Sequence, residues 1–214
     1  MIFQNFYWNT IFILFVSYLI GSFPTAYIAG KIKGIDVSKE GSKNIGGMNT
    51  FTSVGRLAGV MVIFIDAGKG ALVAYLADKF SVQIFVPILA VVFALIGHNW
   101  MIYIGFKGGK GIAAFIGSLL YLSPVSFPFL YLLFVPIALL TLKDSYLSTA
   151  FAFFIFSFFL WIYEGSFWWL IFGLLVTILY SIKSYSLLKT YYTQHRRDIN
   201  PVVKRVFKPF FRGI

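Results

Sequence analysis

A chain of 214 residues that is 59% hydrophobic, 21% aromatic and only 12% charged, with a mean hydropathy of +0.85, lies outside the range of water-soluble domains and marks a polytopic membrane protein. The absence of cysteine excludes disulfides, a thiolate nucleophile and Cys-based metal or iron–sulfur sites, and two histidines with seven acids leave few groups for proton transfer or a metal, so no metal site is expected. A formal net charge of +11 would suit nucleic acid in a soluble chain, but basic residues of membrane proteins collect on the cytoplasmic side against anionic lipids, so no nucleic-acid partner is expected.

The first apolar run, about residues 6–29, is long enough to cross a bilayer, and Gly21, Ser22 and Pro24 predict a kink in its second half. With Lys31 the first basic residue, no charged leader of a cleaved signal peptide is expected. The polar stretch 30–56 carries Lys31, Lys33, Lys39, Lys43 and Arg56, which the positive-inside rule places in the cytoplasm, leaving the N-terminus outside. A second span, 57–77, holds Asp66 and Lys69 three residues apart, on one helical face and within mutual reach. A lone charge at mid-membrane costs roughly 2.5–3.5 kcal/mol on insertion scales, so these two face the bundle interior, either as a simple ion pair or as part of a polar site.

A third span, 82–97, returns to the cytoplasm and delivers His98 and a glycine-dense loop. The next apolar run, 112–122, is too short to cross alone and is expected to be tilted, joined to the loop, or ended inside the bundle at Pro124. As a half-membrane helix it would point its positive N-terminal end at that loop. Further spans at 125–142, 146–163 and 167–182 complete an all-α, seven-transmembrane-helix bundle with a cytoplasmic C-terminus. Of the 18 Lys and Arg, all but Lys69 and Lys79 fall on its cytoplasmic side. Tyr7, Trp8, Trp161, Tyr163, Trp168 and Trp169 are expected at the outer interface, with Trp100 and Tyr103 at the inner one. One domain, 1–182, is followed by a basic amphipathic tail, 183–214, whose eight basic residues, one acid and interleaved Phe207, Phe210 and Phe211 suit anionic lipid.

Two loops on the cytoplasmic side carry the polar chemistry. In GHNWMIYIGFKGGKG, residues 97–111, Gly105, Gly108, Gly109 and Gly111 with Lys107 and Lys110 allow backbone N–H groups to converge on an anion while two ammonium groups neutralise it. The spacing is not that of a Walker A loop, because Ile112 stands where a magnesium-binding hydroxyl belongs. The plainer alternative is a basic turn that merely obeys the positive-inside rule. The second loop, GSKNIGGMN at 41–49, is rich in small groups that hydrogen-bond oxygen; its alternative is a turn-forming linker. If both loops close on one cavity, Lys43, Lys107 and Lys110 offset the repulsion between two bound phosphates.

These residues resemble the bacterial integral-membrane glycerol-3-phosphate acyltransferases that use acyl phosphate as donor. The family's GS-x-N-x-G-x-x-N is matched by Gly41, Ser42, Asn44, Gly46 and Asn49, and its GH followed by F-K-G-G-K-G by Gly97, His98 and Phe106 to Gly111. Asp66, Lys69 and Gly70 match D-x-x-K-G, Gly21, Ser22 and Pro24 match GS-x-P, and Ser145 and Ser148 resemble a pair of serines in the family. The chain departs from the pattern at Thr52, where family members usually carry arginine, at Met48 for threonine and at Met101 for proline. Of a third motif only His195, Arg196, Asp198 and Ile199 remain, without the closing glutamate; Arg56 is a nearby substitute for the absent arginine.

The resemblance implies acyl transfer from acyl phosphate to the 1-hydroxyl of glycerol 3-phosphate in the bacterial inner membrane, with the active site facing the cytoplasm and no cofactor. Lys107, Gly108, Gly109, Lys110 and Gly111 would hold the acyl phosphate. Ser42, Lys43, Asn44, Asn49, Ser145, His195 and Arg196 would bind glycerol 3-phosphate, and Ser42, His98 and Lys110 are the catalytic candidates. An acyl phosphate is a mixed anhydride with a good leaving group, so positioning and charge neutralisation carry the rate without an enzyme nucleophile. His98 stands as base or as a structural histidine, with the acceptor's own phosphate as the competing base. Two other function classes compete: a paralogue with another acceptor or no activity, and an anion transporter, which calls for polar residues through several spans or inverted repeats.

Overall fold

The structure of the protein is a computed structural model describing residues 2–81, 83–142 and 145–194. Among these the regular structure is helical apart from one isolated bridge between Met101 and Lys107. In chain order the helices are α1 (Ile2–Ser22), α2 (Thr25–Ile32), α3 (Gly47–Ser53), α4 (Arg56–Phe80), α5 (Phe85–Asn99), α6 (Ile112–Leu122), α7 (Ser126–Leu142), α8 (Ser145–Glu164) and α9 (Phe167–Gln194), with a 3-10 turn at Ile102–Ile104. Four stretches are long and apolar enough to cross a membrane (Trp8–Ile32, Arg56–Phe80, Ser145–Glu164 and Phe167–Tyr185), while α5, α6 and α7 are shorter apolar helices.

The expected kink in the first apolar run is a full break. Pro24 has no N–H to give, so α1 ends at Ser22 and α2 restarts at Thr25. Carbonyls at the break are met from α4: Lys69 Nζ donates to Phe23 O at 2.8 Å, alongside Thr25 N–H, and to Gly21 O at 3.4 Å while pairing with Asp66 at 2.8 Å. Asp66 and Lys69 are 2% and 7% exposed, and at that burial an ion pair keeps both charges compensated. Of the two readings of this pair, its contacts are those of a pin between α4 and the α1–α2 break.

Small residues set how closely the helices approach. A methyl group on Gly70 would overlap Ala114 O and one on Gly117 would overlap Ala67 O, so α4 and α6 meet backbone to backbone along a reciprocal seam. Gly21 against Ala94 O and Gly97 against Tyr18 O do the same for α1 and α5, where Ser22 Oγ also donates to Gly97 O at 3.3 Å. Around these seams Val73, Ile88, Val91, Leu95, Phe115 and Leu119 join Phe153, Phe156 and Phe172 in one buried core. Phe115 bridges its halves, with ring centres 5.2 Å from Phe153 and 5.8 Å from Phe172.

Several elements differ from the sequence reading. The polar stretch 30–56 contains a helix, α3. Within α7, residues Phe129–Phe134 are π-wound; Pro136 cannot donate to Leu132 and its ring crowds that carbonyl, which widens the turn before it. The last helix runs on past Ile182. No glycine or proline occurs between 183 and 194, and α9 runs on to Gln194, so the boundary between bundle and tail at 182 falls inside a helix. Trp169, expected at an interface, is 3% exposed and packs on Phe172 with ring centres 5.9 Å apart, whereas Trp8, Trp161 and Trp168 are 67%, 41% and 39% exposed.

Candidate active site

The glycine-dense loop is folded by its own backbone. Met101 N–H donates to Lys107 O at 3.0 Å and Phe106 N–H to Met101 O at 2.9 Å, reversing the chain after α5. Gly105 and Phe106 both take positive φ, 69° and 58°, at the tip. The chain then turns back on the end of α5, where Gly109 N–H donates to His98 O at 3.1 Å. Gly111, with φ of 79°, turns the chain into α6, so the positive end of that helix opens on the turn.

Two of the glycines are required by contact rather than by φ. A methyl on Gly108 would overlap His98 O and sit 2.5 Å from Asn99 O. One on Gly109 would overlap His98 Nε2 and stand 2.7 Å from Ile45 O. The last contact joins the two loops: Ile45, 2% exposed, belongs to the GSKNIGGMN segment and packs with Ala26 and Val62 beneath it.

That segment is shaped by Asn49. Its Oδ1 accepts from Ser42 N–H at 3.0 Å and Ser53 Oγ at 3.4 Å, while Nδ2 donates to Val37 O and Glu40 O, both at 3.0 Å. The amide is 3% exposed and engaged on both ends, so its contacts are those of a scaffold for the loop rather than of a ligand group. Upstream, the Ser38 hydroxyl beside Asp36 holds that carboxyl below the usual carboxylate range. Ser42 and Lys43 lie exposed on the rim, with Lys43 at a φ of 58°.

Around the junction several buried polar side-chain atoms have no protein hydrogen-bond partner: Asn44 Oδ1, His98 Nδ1, and both Nδ2 and Oδ1 of Asn99. His98 is 3% exposed, with its ring behind Gly109. Lys110 lies over the Tyr146 ring at 3.9 Å from its centre, which ties the loop to α8. Lys107 is exposed. Lys183, from α9, donates to Asn99 O at 2.6 Å.

The structure therefore brings Gly108, Gly109, Lys110, Gly111 and His98 against the loop that bears Ser42, Lys43, Asn44 and Asn49. Ser145 is exposed at the start of α8, next to Tyr146, but Ser148 is buried and donates to Ala138 O at 3.1 Å, within the packing of α7 on α8. Thr52 turns its hydroxyl onto its own helix, to Asn49 O at 3.1 Å and Met48 O at 3.3 Å, and Arg56 is exposed at the start of α4. His195 and Arg196 lie outside the described residues. Asn99, Tyr146 and Lys183 were not legible as part of this site. The available signals were an amide directly after His98 and a lysine that follows an otherwise uncharged span. No group of three or more His, Cys, Asp or Glu able to hold a metal occurs among the described residues.

Comparison with known proteins gives a consistent set of relatives. The family profile described as glycerol-3-phosphate acyltransferase matches residues 11–204. A protein named glycerol-3-phosphate acyltransferase 2 from Dehalococcoides mccartyi is 38% identical over 167 residues, covering 78% of this chain and 79% of that protein. One named glycerol-3-phosphate acyltransferase from a Geobacillus species is 47% identical over 116 residues, 54% of this chain and 58% of that protein. Among solved structures, the crystal structure of PlsY (YgiH), an integral membrane glycerol 3-phosphate acyltransferase, in its glycerol 3-phosphate form superimposes with a TM-score of 0.76 at 26% identity, over 92% of this chain and 98% of that one. Its lysophosphatidic acid form gives 0.73 at 27% identity, over 86% and 92%.

Proposed function

The chain belongs to the glycerol-3-phosphate acyltransferase family, and on that footing we propose that it transfers a fatty acyl group from acyl phosphate to the 1-hydroxyl of glycerol 3-phosphate, giving lysophosphatidate and phosphate. The observation that supports the reading is the close approach of Gly109 to Ile45 O, which brings the glycine-dense turn and a second small-residue loop side by side.

In this reading the turn from Gly108 to Gly111, with Lys110 and Lys107, holds the donor phosphate. Ser42, Lys43 and Asn44 hold the acceptor phosphate, assisted by Ser145 and by His195 and Arg196. The hydroxyl oxygen of the acceptor forms a bond to the acyl carbon, the bond from that carbon to the phosphate oxygen breaks, and phosphate departs with the electron pair. Backbone N–H groups and ammonium ions already in place stabilise the charge that builds on the leaving phosphate. The burial of His98 behind Gly109 favours a supporting role for the imidazole over that of base, with the proton passing to a phosphate oxygen of the acceptor. An apolar groove of about 440 Å³ between α2 and α4, lined by Phe23, Ile28, Ala29, Ala58 and Val62 with Lys33 at its rim, is where we place the acyl chain, because Ala29 and Val62 also pack on the cluster that holds Ile45.

We also assign seven crossings, with the N-terminus outside, the C-terminus cytoplasmic and the site on the cytoplasmic side of the bacterial inner membrane. The support is that Lys110 meets Tyr146 and Lys183 meets Asn99 at one end of the bundle, while at the other Tyr121 donates to Asp78 and Ser123 to Glu164. The basic C-terminal segment completes the picture as a contact with anionic lipid. Thr52, turned onto its own helix where the family's arginine is expected, favours one second reading: an acceptor other than glycerol 3-phosphate.

Purified protein given acyl phosphate and glycerol 3-phosphate, or other polyol phosphates in its place, tests both. Formation of lysophosphatidate that is lost in Lys110→Ala and Ser42→Ala supports the first reading. Activity unchanged in those variants refutes the site assignment, and preference for another polyol phosphate selects the second reading.

A further inference from the structure

By hydropathy Lys183 is simply the first residue of the basic tail. In the structure its Nζ donates to Asn99 O at 2.6 Å and stands 5.6 Å from the centre of the Trp100 ring. Asn99 closes α5. Its carbonyl is among those that a helix end leaves without an intrahelical partner, and it lies at the negative end of the helix dipole.

That same end is the floor of the glycine turn. His98 O accepts from Gly109 N–H, and Gly108 packs so tightly on His98 O and Asn99 O that no side chain fits between. An anion seated in the turn therefore has carbonyl oxygens of like sign directly beneath it.

We propose that Lys183 is a positioning residue for the donor phosphate: it holds the last carbonyl of α5 and so fixes the turn, and it offsets the negative charge under the bound anion. The proposal rests on the assignment of the donor to this turn. Lys183 acts through Asn99 and is not itself a catalytic residue. The side-chain amide of the same Asn99 is 0% exposed, with neither polar atom partnered in the protein and Oδ1 facing Gly111.

The test compares wild type with Lys183→Met, which keeps the apolar stem, and Lys183→Arg, which keeps the charge and the donor. Steady-state kinetics are measured against acyl phosphate and glycerol 3-phosphate separately, with thermal unfolding in detergent alongside. Loss of a partly buried charge at a helix end predicts a rise of about tenfold in KM for acyl phosphate in Lys183→Met. The KM for glycerol 3-phosphate stays at the wild-type value, loss of the one hydrogen bond to Asn99 O lowers the unfolding temperature only modestly, and Lys183→Arg restores the donor KM to within about threefold. A donor KM in Lys183→Met within twofold of wild type overturns the proposal. So does a parallel fall in kcat and thermal stability with a rise in both KM values in the two variants, which is the pattern of a structural contact alone. Failure of the wild type itself to form lysophosphatidate from these substrates would instead overturn the functional reading.

Discussion

Gly109→Ala isolates the contact on which the site depends. The residue is not among the glycines with positive φ, so alanine is allowed by its backbone and the perturbation is steric. The new methyl would overlap His98 Nε2 and stand 2.7 Å from Ile45 O; reaching the 3.4 Å of an ordinary contact takes a retreat of about 0.7 Å between the loops. Both obstacles are hard to move, because one is a main-chain carbonyl and the other a ring that is 3% exposed. Displacement of a reacting group by about 1 Å costs on the order of 100-fold in rate, or about 2.7 kcal/mol of barrier. Gly109→Ala is therefore expected to lower kcat/KM for acyl phosphate by about 30- to 100-fold. Over-packing lowers stability by about 1–3 kcal/mol, so activity is read at a temperature where thermal unfolding shows the variant folded. Gly105→Ala is the control: its φ is 69° and nothing lies within 4 Å of the added methyl, so it strains the backbone by about 1–2 kcal/mol without moving the loops together or apart. A Gly109→Ala enzyme with kcat/KM within threefold of wild type would refute the claim that the contact of Gly109 with Ile45 sets the site.

Three further outcomes follow from the same geometry. Asp66→Ala strands the Lys69 ammonium in the bundle and should destabilise the protein by about 3–5 kcal/mol, with Asp66→Ala/Lys69→Met recovering at least half, as read by thermal unfolding in detergent. Asn49→Ala removes the acceptor for Ser42 N–H and the donors to Val37 O and Glu40 O; a loss of about 1–3 kcal/mol should appear together with a raised KM for glycerol 3-phosphate and an unchanged KM for acyl phosphate. Ala58→Trp fills the α2–α4 groove and should cut turnover of long-chain acyl phosphates more than that of short-chain ones; equal effects at all chain lengths would place the chain elsewhere.

The helical elements were legible because hydrophobic runs and proline breaks act locally. The short α6 was expected from its length, and the disruption at Pro24 from the missing N–H. The two loops were legible for a related reason, since glycine and lysine clusters stand out against apolar neighbours. What sequence could not supply was any fact decided by a distant partner. Trp169 reads as an interface anchor, but the face it occupies on α9 is covered by the core. Asn49 reads as a ligand group, but the carbonyls of Val37 and Glu40 reach it first. Lys183 reads as tail, because its target is a carbonyl 84 residues earlier in the chain, and no periodicity reports such a pairing. Gly108 and Gly109 could be read only as anion-binding glycines; that they are also the sole residues thin enough to pass between α5 and Ile45 required the fold.

The seam between α4 and α6 also bears on how the protein is made. With 11 residues, α6 is about 16 Å long, roughly half the hydrocarbon thickness that an autonomous membrane segment must traverse. On leaving the ribosome it has no means of anchoring itself, and its Ala114 and Gly117 find their matching surface on α4, synthesised some forty residues earlier. Biogenesis is therefore ordered: α4 must be retained beside the insertion machinery until α6 docks on it, and replacing Gly70 or Gly117 by a bulky residue blocks assembly before any catalytic property is at stake.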